Sequence, residues 1–174
     1  MNRKALLIVY TGDGKGKTTA AMGLLFRALG HDAKCGVIQF IKPGELETGE
    51  KVSALRHNVV WENYGEGFLW EQKDLGPSRL AAQRGWQRAK ELLEGQELDL
   101  LILDELTYLL NQKFISTTEV VDVLTTMRGK THIVVTGRGA PHPLLEAADM
   151  VNEVVGLKHP FSEANIKAQK LIEY

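Results

Sequence analysis

The sequence has little of several features that would mark a special class of protein. Cys35 is the single cysteine in 174 residues, which excludes an intrachain disulfide and fits a reducing compartment. Lysine and arginine total 21 against 22 acidic residues, so no bulk positive charge is present to hold a nucleic-acid backbone. No apolar run approaches the ~20 residues of a membrane-spanning helix. These absences disfavour a disulfide scaffold, a membrane protein and a nucleic-acid-binding protein.

The N-terminal apolar segment, residues 5–10, follows Arg3 and Lys4 and superficially resembles the start of a signal peptide. The segment is too short, and a glycine-rich basic loop follows where a cleavage site would lie. We therefore expect a cytoplasmic protein. The length and an apolar content of 44% predict one domain spanning residues 1–174.

Short apolar runs alternate with longer segments of helical period, which predicts an α/β domain whose mainly parallel sheet is flanked by helices. The predicted strands are residues 5–10, 35–41, 58–63, 98–103, 131–136 and 150–155. The predicted helices are residues 17–29, 52–56, 78–94, 117–127, 141–148 and 161–171. Ser78 is the expected N-cap of the third helix, and residues 42–49 and 64–77 are expected to be loops.

A glycine-rich segment between the first strand and the first helix carries the strongest chemical signal. It matches the phosphate-loop pattern G-x-x-x-x-G-K-[ST] except at its first position, where Thr11 stands and a glycine follows one residue later. Its glycines let backbone N–H groups approach phosphate oxygens, and the helix N-terminus adds a favourable dipole. A glycine-rich turn that binds nothing is the weaker alternative. The candidate nucleotide-binding residues are Gly12, Asp13, Gly14, Lys15, Gly16, Lys17, Thr18 and Thr19.

Two carboxylates, Asp104 and Glu105, end a nearly unbroken apolar strand. Carboxylates at such a strand end commonly hold Mg²⁺ beside nucleotide phosphates. The same pattern also marks a strand followed by a solvated helix start, but the phosphate loop favours the metal site. Which carboxylate contacts the ion directly stays open.

Two further cations are candidates for contact with the nucleotide. Lys42 follows the second predicted strand and Arg138 follows the fifth, at the edge where open α/β sheets bind ligands. No Asn-Lys-x-Asp guanine signature is evident, so ATP is favoured over GTP. These motifs alone leave a kinase, a hydrolase, a switch or a motor open.

Longer motifs of the sequence narrow the choice among these functions. They closely resemble the P-loop corrinoid adenosyltransferases, the ATP:cob(I)alamin adenosyltransferase family, from about residue 5 to the C-terminus. The resemblance implies a P-loop NTPase-like fold of the recombinase type with three layers. The motifs that carry the resemblance occur in the family's order: Tyr10-Thr-Gly-Asp-Gly-Lys-Gly-Lys-Thr-Thr-Ala-Ala21, Arg27-Ala-Leu-Gly-His31, Val37-Ile-Gln-Phe-Ile-Lys42, Gly67-Phe-Leu-Trp70, Leu103-Asp-Glu-Leu-Thr-Tyr108, Val135-Thr-Gly-Arg-Gly139 and Lys158-His-Pro-Phe161.

The resemblance implies that a Co(I) corrinoid attacks the ribose 5′ carbon of ATP, which forms a cobalt–carbon bond and releases triphosphate. It implies that Lys17, Thr18 and Glu105 serve catalysis, that Thr18 and Glu105 hold Mg²⁺, and that Asp104 supports them. Cobalt arrives with the corrinoid substrate. A flavoprotein reductant and a homodimer are also implied. The alternatives are a P-loop ATPase or small-molecule kinase, and an ATP-binding corrinoid carrier.

Phe68 and Trp70 match a family pair that presses beneath the corrin ring and displaces the lower axial ligand, although loop aromatics also serve as ordinary packing residues. The sequence departs from the family pattern in two places. Many family members carry an extension ahead of the first strand, whereas only four residues precede it here. The loop at residues 64–77, the C-terminal tail or a second subunit is therefore expected to cover the corrin. Asn165 and Leu171 stand where glycines are common, which matters if those glycines adopt positive backbone angles.

Overall fold

Six strands form one sheet that determines where the polar side chains of the motifs meet. The computed structural model describes residues 4–43, 47–67 and 74–173. The sheet order is β3-β2-β4-β5-β1-β6, and each neighbouring pair is parallel. The strands are β1 (Leu7–Thr11), β2 (Cys35–Pro43), β3 (Val60–Gly65), β4 (Leu100–Asp104), β5 (His132–Thr136) and β6 (Met150–Glu153).

Helices lie on both faces of this sheet. Within the described residues, none of them is long and apolar enough to cross a membrane. The helices are α1 (Lys17–Leu29), α2 (Gly49–Arg56), α3 (Gly76–Glu94), α4 (Leu106–Asn111), α5 (Thr117–Thr126), α6 (His142–Ala147) and α7 (Pro160–Ala164).

The core is divided in two by the alternation of side chains along each strand. On β4, Leu101 and Leu103 pack in a cluster with residues of α3, α4 and α5, whereas Leu100 and Ile102 pack in a second cluster with residues of α1 and α2. Successive side chains of a strand point to opposite faces, so a strand covered on both faces is apolar at every position. This arrangement confirms the predicted three-layer α/β fold.

Several predicted boundaries are wrong. The third helix begins at Gly76, and Ser78 is buried inside it instead of capping it; the Gly76 N–H bonds to the Asp74 carboxylate at 2.9 Å. The predicted loop at residues 42–49 is shortened from both sides, because β2 continues through Pro43 and α2 begins at Gly49. The helix α4 was not predicted, since six residues are too few to show a helical period.

The C-terminal segment contains less helix than the predicted residues 161–171. Helix α7 covers Pro160–Ala164 and ends at Asn165, whose φ of 52° is left-handed. A left-handed residue stops an α-helix because the next peptide can no longer continue the hydrogen-bond ladder. The final strand is also shorter than predicted and ends at Glu153.

Candidate active site

The phosphate loop connects the end of β1 to the start of α1 and lies against the chain that follows β6. The Gly14 N–H donates to the Val154 carbonyl at 2.7 Å. A Cβ on Gly12 would lie 2.5 Å from the Val154 oxygen, and one on Gly14 would lie 2.7 Å from the Val155 carbonyl carbon. Gly12 also has a φ of 93°, so this position needs glycine for both conformation and space.

Lys17 places a buried ammonium inside the phosphate loop. The residue is 6% exposed, and its Nζ donates to the carbonyl oxygens of Gly12 and Gly14 at 2.7 and 2.6 Å. Burial lowers the pKa of Lys17, and the negative charge of Glu105 opposes that shift. These contacts hold the amine inside the phosphate loop.

Asp104 lies fully buried at the end of β4 and accepts hydrogen bonds at both of its carboxylate oxygens. The hydroxyls of Thr18 and Thr136 donate to Oδ1 at 2.8 and 2.6 Å, and Gln39 Nε2 donates to Oδ2 at 2.9 Å. Because the Thr18 hydroxyl donates its hydrogen bond to Asp104, the lone pairs of the hydroxyl oxygen remain available to a cation. Asp104 therefore fixes the orientation of the Thr18 hydroxyl.

Glu105 follows immediately and has a different environment. Its backbone is left-handed with a φ of 63°, and its N–H donates to the Thr136 hydroxyl at 3.0 Å. Its Oε2 atom is buried and has no hydrogen-bond partner among the described residues. Burial and the neighbouring Asp104 raise the pKa of Glu105 to about 7, while Lys17 opposes the rise. A buried carboxylate oxygen without a donor is suited to a cation.

The donor set fits Mg²⁺ held jointly with phosphate oxygens. Among the described residues, no cluster of three or more His, Cys, Asp or Glu side chains forms a complete metal cage. Mg²⁺ commonly takes one or two carboxylates and completes its shell with water and substrate phosphates. The Thr18 hydroxyl and Glu105 Oε2 supply two oxygens beside the phosphate loop. Of the two carboxylates, Glu105 has an oxygen without a hydrogen-bond donor, whereas both oxygens of Asp104 accept hydrogen bonds.

The structure also brings Lys42 and Arg138 to this edge of the sheet. Both positive charges lower the pKa of Glu105, in opposition to burial. Lys42 Nζ lies 3.3 Å from a carboxylate oxygen of Glu50 on α2. The Arg138 carbonyl accepts from the Thr107 hydroxyl at 2.7 Å, which fixes the chain after β5.

Sequence reasoning missed three polar residues of this site. Gln39 and Thr136 contact Asp104, and Asn63 contacts Gln39. The available signal was that each is a polar residue near the C-terminal end of a predicted apolar strand. A cavity of about 540 Å³ opens beyond Asn63, between the ends of β2 and β3 and helix α3, with Tyr64 and Arg84 also in its lining.

Residues 3–174 match the model of the family described as ATP:corrinoid adenosyltransferase BtuR/CobO/CobP. The chain belongs to this family. A corrinoid adenosyltransferase of Sinorhizobium is 41% identical over 177 residues, covering 99% of this chain and 82% of the relative. One of Escherichia coli strain K12 is 40% identical over 173 residues, covering 99% and 87%. The chain is therefore an enzyme, a corrinoid adenosyltransferase with ATP as co-substrate.

A solved structure supports the fold alone. The crystal structure of the flagellar accessory protein FlaH from Methanocaldococcus jannaschii resembles this chain with a TM-score of 0.55 at 14% identity. The likeness covers 86% of this chain and 70% of that protein. It supports the predicted P-loop NTPase-like architecture.

The C-terminal tail of this adenosyltransferase reaches the phosphate loop. The Glu173 carboxylate forms an ion pair with Lys15 Nζ and accepts from the Gln169 N–H at 2.7 Å. Asn165 and Leu171, which stand where the resemblance led us to expect glycine, have φ angles of 52° and 77°. Positive angles therefore occur at both positions, and they occur without glycine.

The predicted corrinoid contacts Phe68 and Trp70 lie outside the described residues. Their role stays a prediction.

Proposed function

We propose that Mg²⁺ and the triphosphate of ATP bind between the phosphate loop and Glu105, and that the adenosyl group leaves from there. The observation that carries this proposal is the unpartnered Oε2 atom of Glu105, buried beside a Thr18 hydroxyl whose proton is already engaged. Lys17 supplies positive charge between them. Asp13 and Thr19 complete the loop that surrounds the phosphates.

In the proposed reaction, the Co(I) electron pair forms the bond to the 5′ carbon while the bond from that carbon to oxygen breaks. The triphosphate departs with the bonding electrons. No side chain has to act as nucleophile, because the reduced cobalt already is one. The chain's task is to align the two reactants and to stabilise the charge that gathers on the leaving group.

Each cation of the site then has a separate task. Lys17 and the N-terminus of α1 stabilise negative charge on the triphosphate, and Arg138 contributes from the end of β5. Mg²⁺, when bound, neutralises charge on the phosphate oxygens. Thr18 and Glu105 would hold this ion, and Asp104 orients Thr18. Lys42 is positioned for the nucleotide at the end of β2.

The remaining parts of the proposal are supported by resemblance. Phe68 and Trp70 contact the corrin from below, a flavoprotein supplies the electron that yields Co(I), and the enzyme works as a cytoplasmic homodimer. The single reduced Cys35 is consistent with the cytoplasm.

Glu105→Gln tests the metal assignment. The amide keeps the shape but removes the negative charge, so the Mg²⁺ concentration for half-maximal activity should rise and kcat/KM should fall about 100-fold. Glu97→Gln, on the exposed segment before β4, is the matched control and should behave as the wild type. An unchanged Mg²⁺ requirement in Glu105→Gln would show that this carboxylate does not hold the ion.

A further inference from the structure

A row of three polar side chains crosses the sheet beneath the site. Strand register places Gln39 of β2 opposite Asn63 of β3 on one side and opposite Asp104 of β4 on the other. Asn63 Nδ2 donates to Gln39 Oε1 at 3.0 Å, and Gln39 Nε2 donates to Asp104 Oδ2 at 2.9 Å. The row begins at the cavity of about 540 Å³ and ends at the carboxylate that holds Thr18.

The direction of each hydrogen bond in this row is fixed by the one before it. An ionised carboxylate only accepts, so Gln39 must turn its NH₂ group towards Asp104. Its carbonyl oxygen then faces Asn63, which must donate. Gln39 is 1% exposed, so no bulk water is present to replace a lost partner.

This row bears directly on Thr18. Asp104 Oδ1 receives the Thr18 and Thr136 hydroxyls, and Oδ2 receives Gln39. If Gln39 presented its oxygen instead, Oδ2 would face a like partial charge in a buried setting, and the carboxylate would turn away from its present position. The Thr18 hydroxyl would then lose the acceptor that orients it.

We propose that Gln39 and Asn63 are positioning residues that set the orientation of Thr18 in the Mg²⁺–ATP site. Asn63 Nδ2 has two acceptors, the Gln39 amide oxygen at 3.0 Å and the more distant Lys42 carbonyl at 3.4 Å, and its effect on Asp104 passes through the Gln39 amide. Since Asn63 also lines the cavity, the row connects that cavity to the nucleotide site. The inference rests on the proposed Mg²⁺–ATP site.

The decisive variant is Asn63→Asp, which has nearly the same shape but no proton to donate. The carboxylate at position 63 competes with Asp104 for the single NH₂ group of Gln39, so the hydrogen bond from Gln39 Nε2 to Asp104 Oδ2 is weakened. Gln39→Leu removes both hydrogen bonds directly. Thr131→Val is the matched control, because Thr131 is also buried and hydrogen-bonded but directly precedes β5, at the strand end far from the nucleotide site.

Binding of a fluorescent ribose-labelled ATP is titrated for each variant in Mg²⁺ and in EDTA. Asn63→Asp and Gln39→Leu should each weaken binding about tenfold in Mg²⁺, and less than twofold in EDTA. Direct titration with Mn²⁺, followed by its paramagnetic resonance signal, should show the same loss. The double variant should be no weaker than Gln39→Leu alone, because the two residues act in one series. Thr131→Val should lower thermal stability and leave the ratio of the two affinities unchanged.

Wild-type-like Mg²⁺–ATP binding in Asn63→Asp would overturn the proposal, as would equal losses in Mg²⁺ and EDTA or additive losses in the double variant. If the wild type itself binds ATP equally well in Mg²⁺ and EDTA, the metal site fails instead. The two failures are therefore distinguishable.

Discussion

Gly137→Ala should disrupt both the fold and the site, because this glycine follows β5 in a space that a side chain cannot share. Its φ is 138°, and a Cβ would lie 2.1 Å from the Thr107 hydroxyl and 3.4 Å from Glu105 Oε2. The backbone strain costs about 1–3 kcal/mol. Displacing Thr107 removes its hydrogen bond to Arg138, which adds about 1 kcal/mol. The expected loss in the free energy of unfolding is therefore about 2–4 kcal/mol.

Urea unfolding followed by circular dichroism measures this loss. The control is Gly23→Ala in α1, where a Cβ meets no atom within 4 Å and the helix should gain about 0.5–1 kcal/mol. Thr107→Ala combined with Gly137→Ala should lose less than the sum of the single variants, because the clash with the hydroxyl is gone. If the free energy of unfolding of Gly137→Ala lies within about 0.5 kcal/mol of the wild-type value, Thr107 does not approach Gly137 as closely as described.

The Leu7 N–H and Lys4 hold the pKa of Asp149 well below its usual range, so Asp149→Asn should cost about 1.5 kcal/mol at pH 7. In urea unfolding, the difference in free energy of unfolding between the wild type and Asp149→Asn should shrink as the pH falls below about 4. A difference that does not change with pH would contradict this prediction. Glu173→Gln frees Lys15 from its ion pair, so ATP should bind about threefold tighter at low salt, and this gain in affinity should shrink at high salt. Equal ATP affinities of the variant and the wild type at low salt would show that Glu173 does not compete with ATP for Lys15. Phe68→Ala with Trp70→Ala should slow turnover from Co(II) far more than turnover from pre-reduced Co(I); equal losses would indicate packing.

The parts of the fold that the sequence predicts well are those with a long, regular pattern. Helix α1 has the predicted bounds, because its apolar face repeats over 13 residues and Gly30 follows it. The parallel sheet follows from apolar runs such as β4, which helices cover on both faces. Helix α4 and the start of α3 were missed because a six-residue helix and a buried Ser78 carry no distinctive local pattern, whereas the end of α3 at Glu94 was predicted.

The candidate site likewise has parts that the sequence predicts and parts that it does not. The phosphate loop, Asp104 and Glu105 belong to local motifs, so their neighbourhood at one sheet edge is predictable from strand order. The distinct tasks of the two carboxylates are not, since they depend on Gln39 and Thr136 from other strands. The tail contact between Glu173 and Lys15 joins residues far apart in the chain and has no sequence signal. Such partners become visible when the topology brings them together.

We propose that the phosphate loop serves adenosyl transfer to cobalt and not phosphoryl transfer. The direct measurement is an anaerobic incubation of the enzyme with Mg²⁺, ATP and chemically reduced cobalamin, followed by spectroscopy and identification of the phosphate product. The predicted result is a light-sensitive alkylcobalt spectrum together with triphosphate. ADP without an alkylcobalt product would contradict adenosyl transfer to cobalt.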